Sequence, residues 1–482
     1  MFHNVCSCGL LILSIVSQCL TAVAAPQPEV PTVAQCNDLI QSALPSIVQL
    51  IYQDGDGKRH CYGCGVIVSP EGHVVASGMV GAVLDNVRLN LRLTDGRQVT
   101  GEALGWSNEF NIGMFKITER GEWPFVTLSE QIQAGEVCLS LGCSVESARE
   151  LKDDRLETRL SVVGRVGKDS WFTTPHHSRL TPHPVFNLDG ELMGLARGDV
   201  SSSHAGEFVM HLSASVIRQQ WNELAAGLDL DRKRLIEETK PLVEWEKLPE
   251  KMSSETLGKI MAASVQIGEI GEKPSFSGVV VHDGFIVTCA HHHRLPGTEF
   301  NVVIADGRSV VATLVNTNWL ADISVLNVTS GEELPSATFG YSSRLSPGDT
   351  VLTIGYPHRN EQKAIVLETK LAKSRKAINF RESVGDQLYS AGEDEEIAKG
   401  LSGVSGGGVF DSTGNLIGIH NGLVSAGAGL QLRFARIELF RRNWENLVEF
   451  SKVDEIGSDK IASISLSLNK LMSELTTNDP KK

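Results

Sequence analysis

The chain repeats itself, and any fold proposed for one copy must serve the other. "LTDGRQVTGEALGWSNEFNIGMFKIT" at 93–118 aligns without a gap on "IADGRSVVATLVNTNWLADISVLNVT" at 304–329, with Asp-Gly-Arg at the same place in both. Upstream, "CGVIVSPEGHVVASGMV" matches "SGVVVHDGFIVTCAHH" with one residue of slack. Downstream, "VFNLDGELMGLARG" matches "VFDSTGNLIGIHNG" in spacing. The copies run from 36 to 227 and from 252 to 447. A charged connector at 228–251, helical in composition, joins them, and an amphipathic helix with a polar tail fills 448–482.

Within each copy, short runs of Val, Ile, Leu and Thr close at turn signals such as His282-Asp283-Gly284 and Ala305-Asp306-Gly307. So many short strands predict an all-β fold, a barrel or sandwich, and no alternation of strands with helices suggests a doubly wound sheet. "SASVIRQQWNEL" and "ARIELFRRNWENL" predict one terminal helix per copy. The 482 residues, 41% of them apolar, are enough for two large cores. A net charge of -14 with no basic run excludes a surface that tracks nucleic-acid phosphates.

"CGLLILSIVSQCLTAVAA" reads as an export signal, residues 1–24, with Ala22-Val23-Ala24 as its small-residue cleavage site. The absence of Lys and Arg ahead of it leaves an uncleaved anchor as the alternative, since about 18 apolar residues can span a bilayer. The expected location is therefore periplasmic or secreted. Cys6, Cys8 and Cys19 fall in the signal. Cys61, Cys64, Cys138 and Cys143 allow three disulfide pairings, among which sequence does not choose, or a four-thiolate zinc site as the less favoured reading.

Chemistry concentrates in the second copy. A serine hydroxyl needs a base to take its proton and a third group to hold that base. "GFIVTCAH" delivers His291 to a strand end, "ADISVLNV" opens with Asp322 before a strand, and "GVSGGGVFDSTGNLIGI" offers Ser405 in a glycine-rich turn. The order His, Asp, Ser is that of the chymotrypsin arrangement. Glycines around Ser405 free the amides of Gly403 and Ser405 to face a developing oxyanion.

These three motifs resemble those of trypsin-like serine proteases of the HtrA (Deg) type, over most of 252–447. The resemblance implies two tandem chymotrypsin-like double β-barrel domains. It assigns His291 as general base, Asp322 as its orienting carboxylate and Ser405 as nucleophile, and puts His420, Asn421 and Gly422 on the strand that pairs with substrate backbone. It implies polypeptide substrates, unfolded proteins among them, and no cofactor or metal. Two departures stand out. Gly408 replaces the family's usual proline and is expected to loosen the following strand. The roughly 35 residues after 447 are too few for a PDZ module, which needs on the order of 90.

The first copy has Met79, Asn111 and Thr181 at the three matching positions, with Pro182 after the last. None can do the corresponding job, so 36–227 is expected to be a pseudoprotease domain with a structural or regulatory role. The competing reading of the whole chain is a latent or non-catalytic binding protein built from two protease-like domains. Other signals read blandly. His291 to His293 are not expected to bind metal, because adjacent strand residues face opposite ways. His176, His177 and His183 read as a solvated loop, Cys289 as a buried small hydrophobe, and Lys399 either as lying near the specificity pocket the resemblance implies or as pointing to solvent.

Overall fold

The computed structural model describes residues 30–53, 59–77, 88–107, 110–143, 156–167, 170–174, 182–196, 209–228, 230, 248–292, 296–318, 321–328, 330–358, 363–372, 387–390, 401–426, 429–448, 454–455 and 458–477. The signal segment 1–24, Met79, His176, His177, Thr181, His293 and Lys399 lie outside them. Among the described residues no helix is long and apolar enough to cross a membrane.

The duplication is visible in the topology. In the first copy, strands Ile47–Gln53, Arg59–Ile67, His73–Ser77, Ile112–Ile117, Gln98–Ser107 and Arg88–Leu93 close into a barrel in that order. In the second, Ser264–Glu269, Phe276–Val280, Phe285–Thr288, Ile323–Val328, Ser309–Asn318 and Glu299–Val303 close in the same order. Alternation explains the closure: one face of each strand fills the barrel, with Val265, Ile267, Phe300, Val302 and Leu326 among the residues inside the second copy's barrel.

Each barrel is followed by a second curled sheet. In the second copy its strands are Ile365–Lys370, Thr350–Gly355, Gly408–Phe410, Leu416–Ala426, Gly429–Arg436 and Gln387–Tyr389. The first copy's counterpart closes through pairing of Ser170–Thr174 with both Glu157–Val166 and Val209–Ser213. The architecture is thus two tandem chymotrypsin-like double barrels, mostly β, as the repeats predict.

Helices differ from expectation in detail. Each copy opens on a helix that the patterning did not single out. Val33–Ala43 is capped by Thr32 and Gln35 in a reciprocal box, and Ser254–Ala263 is capped by Ser253. The terminal helix of the second copy is one piece, Ile437–Val448, whereas in the first it breaks into Ala214–Gln219 and Trp221–Ala225.

The C-terminal segment does not stay with the second copy. Asp454–Glu455 pairs with Arg165 and Val166 at the edge of the first copy's second sheet. Helix Ser458–Thr477 then buries Ile464, Leu468 and Leu471 in the same core as Leu39, Leu160, Val216 and Ile217. The two copies are therefore stitched by their own chain.

Candidate active site

The strand Phe285–Thr288 ends just short of Cys289, Ala290 and His291. Asp322 stands in a left-handed turn, φ 57°, immediately before strand Ile323–Val328, and these two strands pair Thr288 with Ser324. That pairing brings the carboxylate to the histidine. Asp322 Oδ1 accepts the amides of Ala290 (2.8 Å) and His291 (2.9 Å), and His291 Nδ1 lies 3.1 Å from Oδ1 and 3.0 Å from Oδ2. Burial alone would raise the Asp322 carboxyl, but the charge and hydrogen bond of His291, then Arg433 and the Ala290 amide, hold it below the usual carboxylate range. An ionised Asp322 makes Nδ1 the donor and leaves the lone pair on Nε2.

His291 itself is raised, to about 11, first by the Cys289 sulfur and then, against burial, by Asp322. Its Nε2 lies 3.7 Å from Cys289 Sγ. Cys289 is buried, as its small apolar character predicts, and burial raises its thiol.

Ser405 is reached through Ser277, which sequence reading missed. The Ser277 amide donates to the Ser405 carbonyl (2.8 Å), and the Ser277 hydroxyl donates to the Gly403 carbonyl (2.8 Å) while accepting the Tyr356 amide (2.9 Å). Thr288 Oγ1 in turn donates to the Ser277 carbonyl at 2.7 Å. A single buried serine thereby ties the glycine loop of the second sheet to the strand that carries His291. The only hint in the sequence is Ser-Gly-Val facing Cys-Gly-Val in the alignment, which marks a matched position without saying what it holds.

Packing dictates the glycines. A Cβ on Gly406 would stand 2.0 Å from the Ser277 carbonyl oxygen, and Gly403 has φ 97°. Among the described residues, neither the Gly403 nor the Ser405 amide donates to a protein acceptor. Gly408 departs from expectation: it sits in a buried strand where a Cβ would meet the Phe410 ring at 2.6 Å and Val279 at 2.7 Å. Phe410 fills the space a proline ring would need, so the strand is packed rather than loosened.

His420 and Asn421 turn inward. The His420 amide donates to Gly407 and its carbonyl accepts from Gly406, each at 2.8 Å, so its main chain is engaged within the protein. Its ring is buried beside the His291–Asp322 pair, and burial, then the charges of His291 and Arg433, lower it to about 3. Asn421 is the extra residue of a bulge between His420 and Gly422, and both its side-chain and main-chain oxygens accept from Arg433 at 3.1 Å.

The expectation about the histidine run rested on strand alternation, and the strand stops at Thr288. His291 and His292 lie in a turn, with ring centroids 4.8 Å apart and planes tilted by 36°.

In the first copy, Asn111 keeps the left-handed turn of Asp322, with φ 52°, and its side-chain amide donates to Ser77 Oγ at 3.4 Å. The Cys64 amide donates to the Pro182 carbonyl at 2.8 Å, as Ser277 does to Ser405, so by backbone contact Pro182 rather than Thr181 matches the serine. Where Ser277 and Tyr356 stand in the second copy, the first has Cys64 and Cys143, sulfurs 3.4 Å apart, with Gln49 donating to Cys143 at 3.1 Å. Hydrogen bonds from Cys61 and Cys64 hold Cys143 down at about 4. Cys138 belongs to a different core cluster and donates to the Ser161 carbonyl. The four cysteines therefore do not share one site, and the four-thiolate zinc reading is set aside. His183 is a buried strand residue, not part of a solvated loop.

A double barrel with a histidine and a carboxylate from one barrel beside a glycine-rich serine loop from the next sheet is the chymotrypsin type of architecture. Residues 276–419 match the trypsin-like peptidase domain family, and the chain is similar to proteases of the HtrA type. Those relatives include protease Do-like 14 of Arabidopsis thaliana, 30% identical over 167 residues, 32% of this chain and 37% of that protein. The serine protease Do-like HtrA of Lactobacillus helveticus is 29% identical over 165 residues, 33% and 38% of the respective chains. A periplasmic DegP-like serine endoprotease of Chlamydia trachomatis is 27% identical over 206 residues, 41% and 37%. The chain spans little more than a third of the length of these relatives.

Proposed function

We propose that the second copy is a serine endopeptidase acting on polypeptides through an acyl-enzyme, in an exported protein whose first copy is inactive and structural or regulatory. The observation that carries this reading is the grip of Asp322 on His291: one carboxylate fixes the ring through Nδ1 and the backbone through two amides. In the reaction, Ser405 Oγ attacks the scissile carbonyl carbon as its proton passes to Nε2, and the Gly403 and Ser405 amides meet the oxyanion. Collapse expels the amine, which takes the proton from Nε2. Water, deprotonated by the same nitrogen, then releases the acid and restores Ser405. Asp322 stays ionised throughout and stabilises the imidazolium.

The test is labelling by a fluorophosphonate probe, which reacts only with an activated serine. The expected result is labelling of the parent, none in Ser405→Ala, and hydrolysis lowered by about 10⁴-fold or more in Ser405→Ala or His291→Ala, with little further loss in the double variant. Labelling that survives Ser405→Ala, or additive losses, would overturn it.

One observation favours the second reading, a latent or binding protein: Nε2, the nitrogen a general base would use, lies 3.7 Å from the Cys289 sulfur and is engaged there. A parent protein that never labels would decide for it.

A further inference from the structure

We propose that Cys289, His291 and His292 form a binding site for a zinc-class transition-metal ion that switches off the base. One ligand atom from each of the three lies within 4.8 Å of the others. The donors are one sulfur and two imidazole nitrogens with no oxygen among them, a set that selects zinc over magnesium or calcium. Cys289 Sγ and His291 Nε2 are 3.7 Å apart. On one tetrahedral zinc, with its usual sulfur and nitrogen bond lengths, a thiolate and an imidazole stand about 3.6 Å apart. That edge of the tetrahedron already exists.

The surroundings match a metal site in a second way. A ligating histidine commonly gives its other ring nitrogen to a carboxylate, which fixes the tautomer and aims the lone pair at the ion. Asp322 holds Nδ1 of His291 in that manner and leaves Nε2 toward Cys289. His292 is held by stacking on Phe276, centroids 3.8 Å apart and planes 18° from parallel, and in that position its ligand atom lies within 4.8 Å of the other two donors. Three protein ligands leave a fourth position for water. His291 keeps a 37% exposed side chain, which is the route of entry.

Binding forms one metal–sulfur and two metal–nitrogen bonds. The Cys289 thiol proton goes to solvent, and nothing is oxidised. The metal then occupies the lone pair with which, on the proposed function, His291 would take the Ser405 proton. Zinc is an off-switch here, and removing it restores the base.

Cobalt(II) titration of full-length Ser405→Ala tests the site without relying on proteolysis. The expected result is one equivalent bound with a sulfur-to-cobalt charge-transfer band, displaced by zinc. The band should vanish in Cys289→Ser, and His292→Gln should bind about tenfold more weakly or worse, with unchanged thermal unfolding of His292→Gln showing that the fold is intact. Absence of the band, or a band that survives Cys289→Ser and disappears in Cys143→Ser, overturns the proposal. In the parent, zinc should suppress fluorophosphonate labelling, and chelation should restore it. His292→Gln should need about tenfold more zinc. A parent that never labels refutes the proteolytic reading, while the cobalt titration still decides the metal site.

Discussion

Ser277→Ala removes one hydroxyl with large expected consequences. Ser277 is fully buried, and its Oγ serves two main-chain groups, the Gly403 carbonyl and the Tyr356 amide, across the seam between barrel and sheet. Alanine leaves both unpaired away from water. An orphaned buried polar group costs about 1–3 kcal/mol, so the pair costs roughly 2–6 kcal/mol if the loop does not relax. Because the loss is local, hydrogen–deuterium exchange is a better assay than global melting. The amides around Tyr356 and 401–407 should exchange at least about 30-fold faster, at about 1.4 kcal/mol per factor of ten, and fluorophosphonate labelling should slow alongside. Thr288→Val, which removes one donor at 2.7 Å to the Ser277 carbonyl, should give a smaller effect of about 1 kcal/mol. Exchange and labelling in Ser277→Ala indistinguishable from the parent would show that the serine does not hold the loop.

In the first copy, Thr181→Ser and Pro182→Ser should both fail to gain fluorophosphonate labelling, because Asn111 cannot replace a carboxylate and Met79 cannot act as a base; labelling at either position would sink that account. Exposed to oxidised glutathione, Cys143 should bridge to Cys61 or Cys64 while Cys138 stays a free thiol, read by peptide mapping; a Cys138 bridge would contradict the separation of the clusters. Acid should destabilise the second copy through His420. Its folded value is depressed to about 3 against an unfolded value of about 6.5, so the unfolded state binds a proton that the folded state refuses. Stability should then fall as pH drops from about 6.5 toward 3, by a few kcal/mol, and His420→Gln should flatten that slope in urea titrations; an unchanged slope would refute the assignment.

How much of this was legible follows from where the information sits. The barrels were, because alternation is written into every strand and written twice. His291 and Asp322 were legible as residue types in a known order, since each stands at a strand end whose position the hydrophobic pattern sets. Ser277 was not: a serine inside a strand looks like any other until the opposing loop is known. The thiol cluster followed the same rule. Cys61 and Cys64 both enter the first copy's core because Gly63 and a shift in pairing between Leu50 and Ile51 change the strand's phase, which a spacing of three residues does not reveal. The inward turn of His420 and Asn421 depends likewise on a bulge. Strand alternation has no bearing on His292, because the strand ends at Thr288.

The last helix bears on why a copy with Met79, Asn111 and Thr181 at the three matching positions is retained. Had the chain ended with the second copy's own helix at Val448, the two copies could be read as beads on a string, and removing one would leave the other intact. Instead Asp454–Glu455 extends the first copy's sheet and Ser458–Thr477 seats Ile464, Leu468 and Leu471 in its core. Each fully buried Leu or Ile contributes about 1.5–3 kcal/mol, so the three together contribute several kcal/mol that neither copy has alone. Residues 245–482 expressed without the first copy would carry that apolar face with nothing to cover it, which is why aggregation is the expected behaviour of the isolated second copy. Chain order adds a kinetic consequence. The first copy cannot complete its core until the C-terminal residues have been made, so its final packing waits on the second copy.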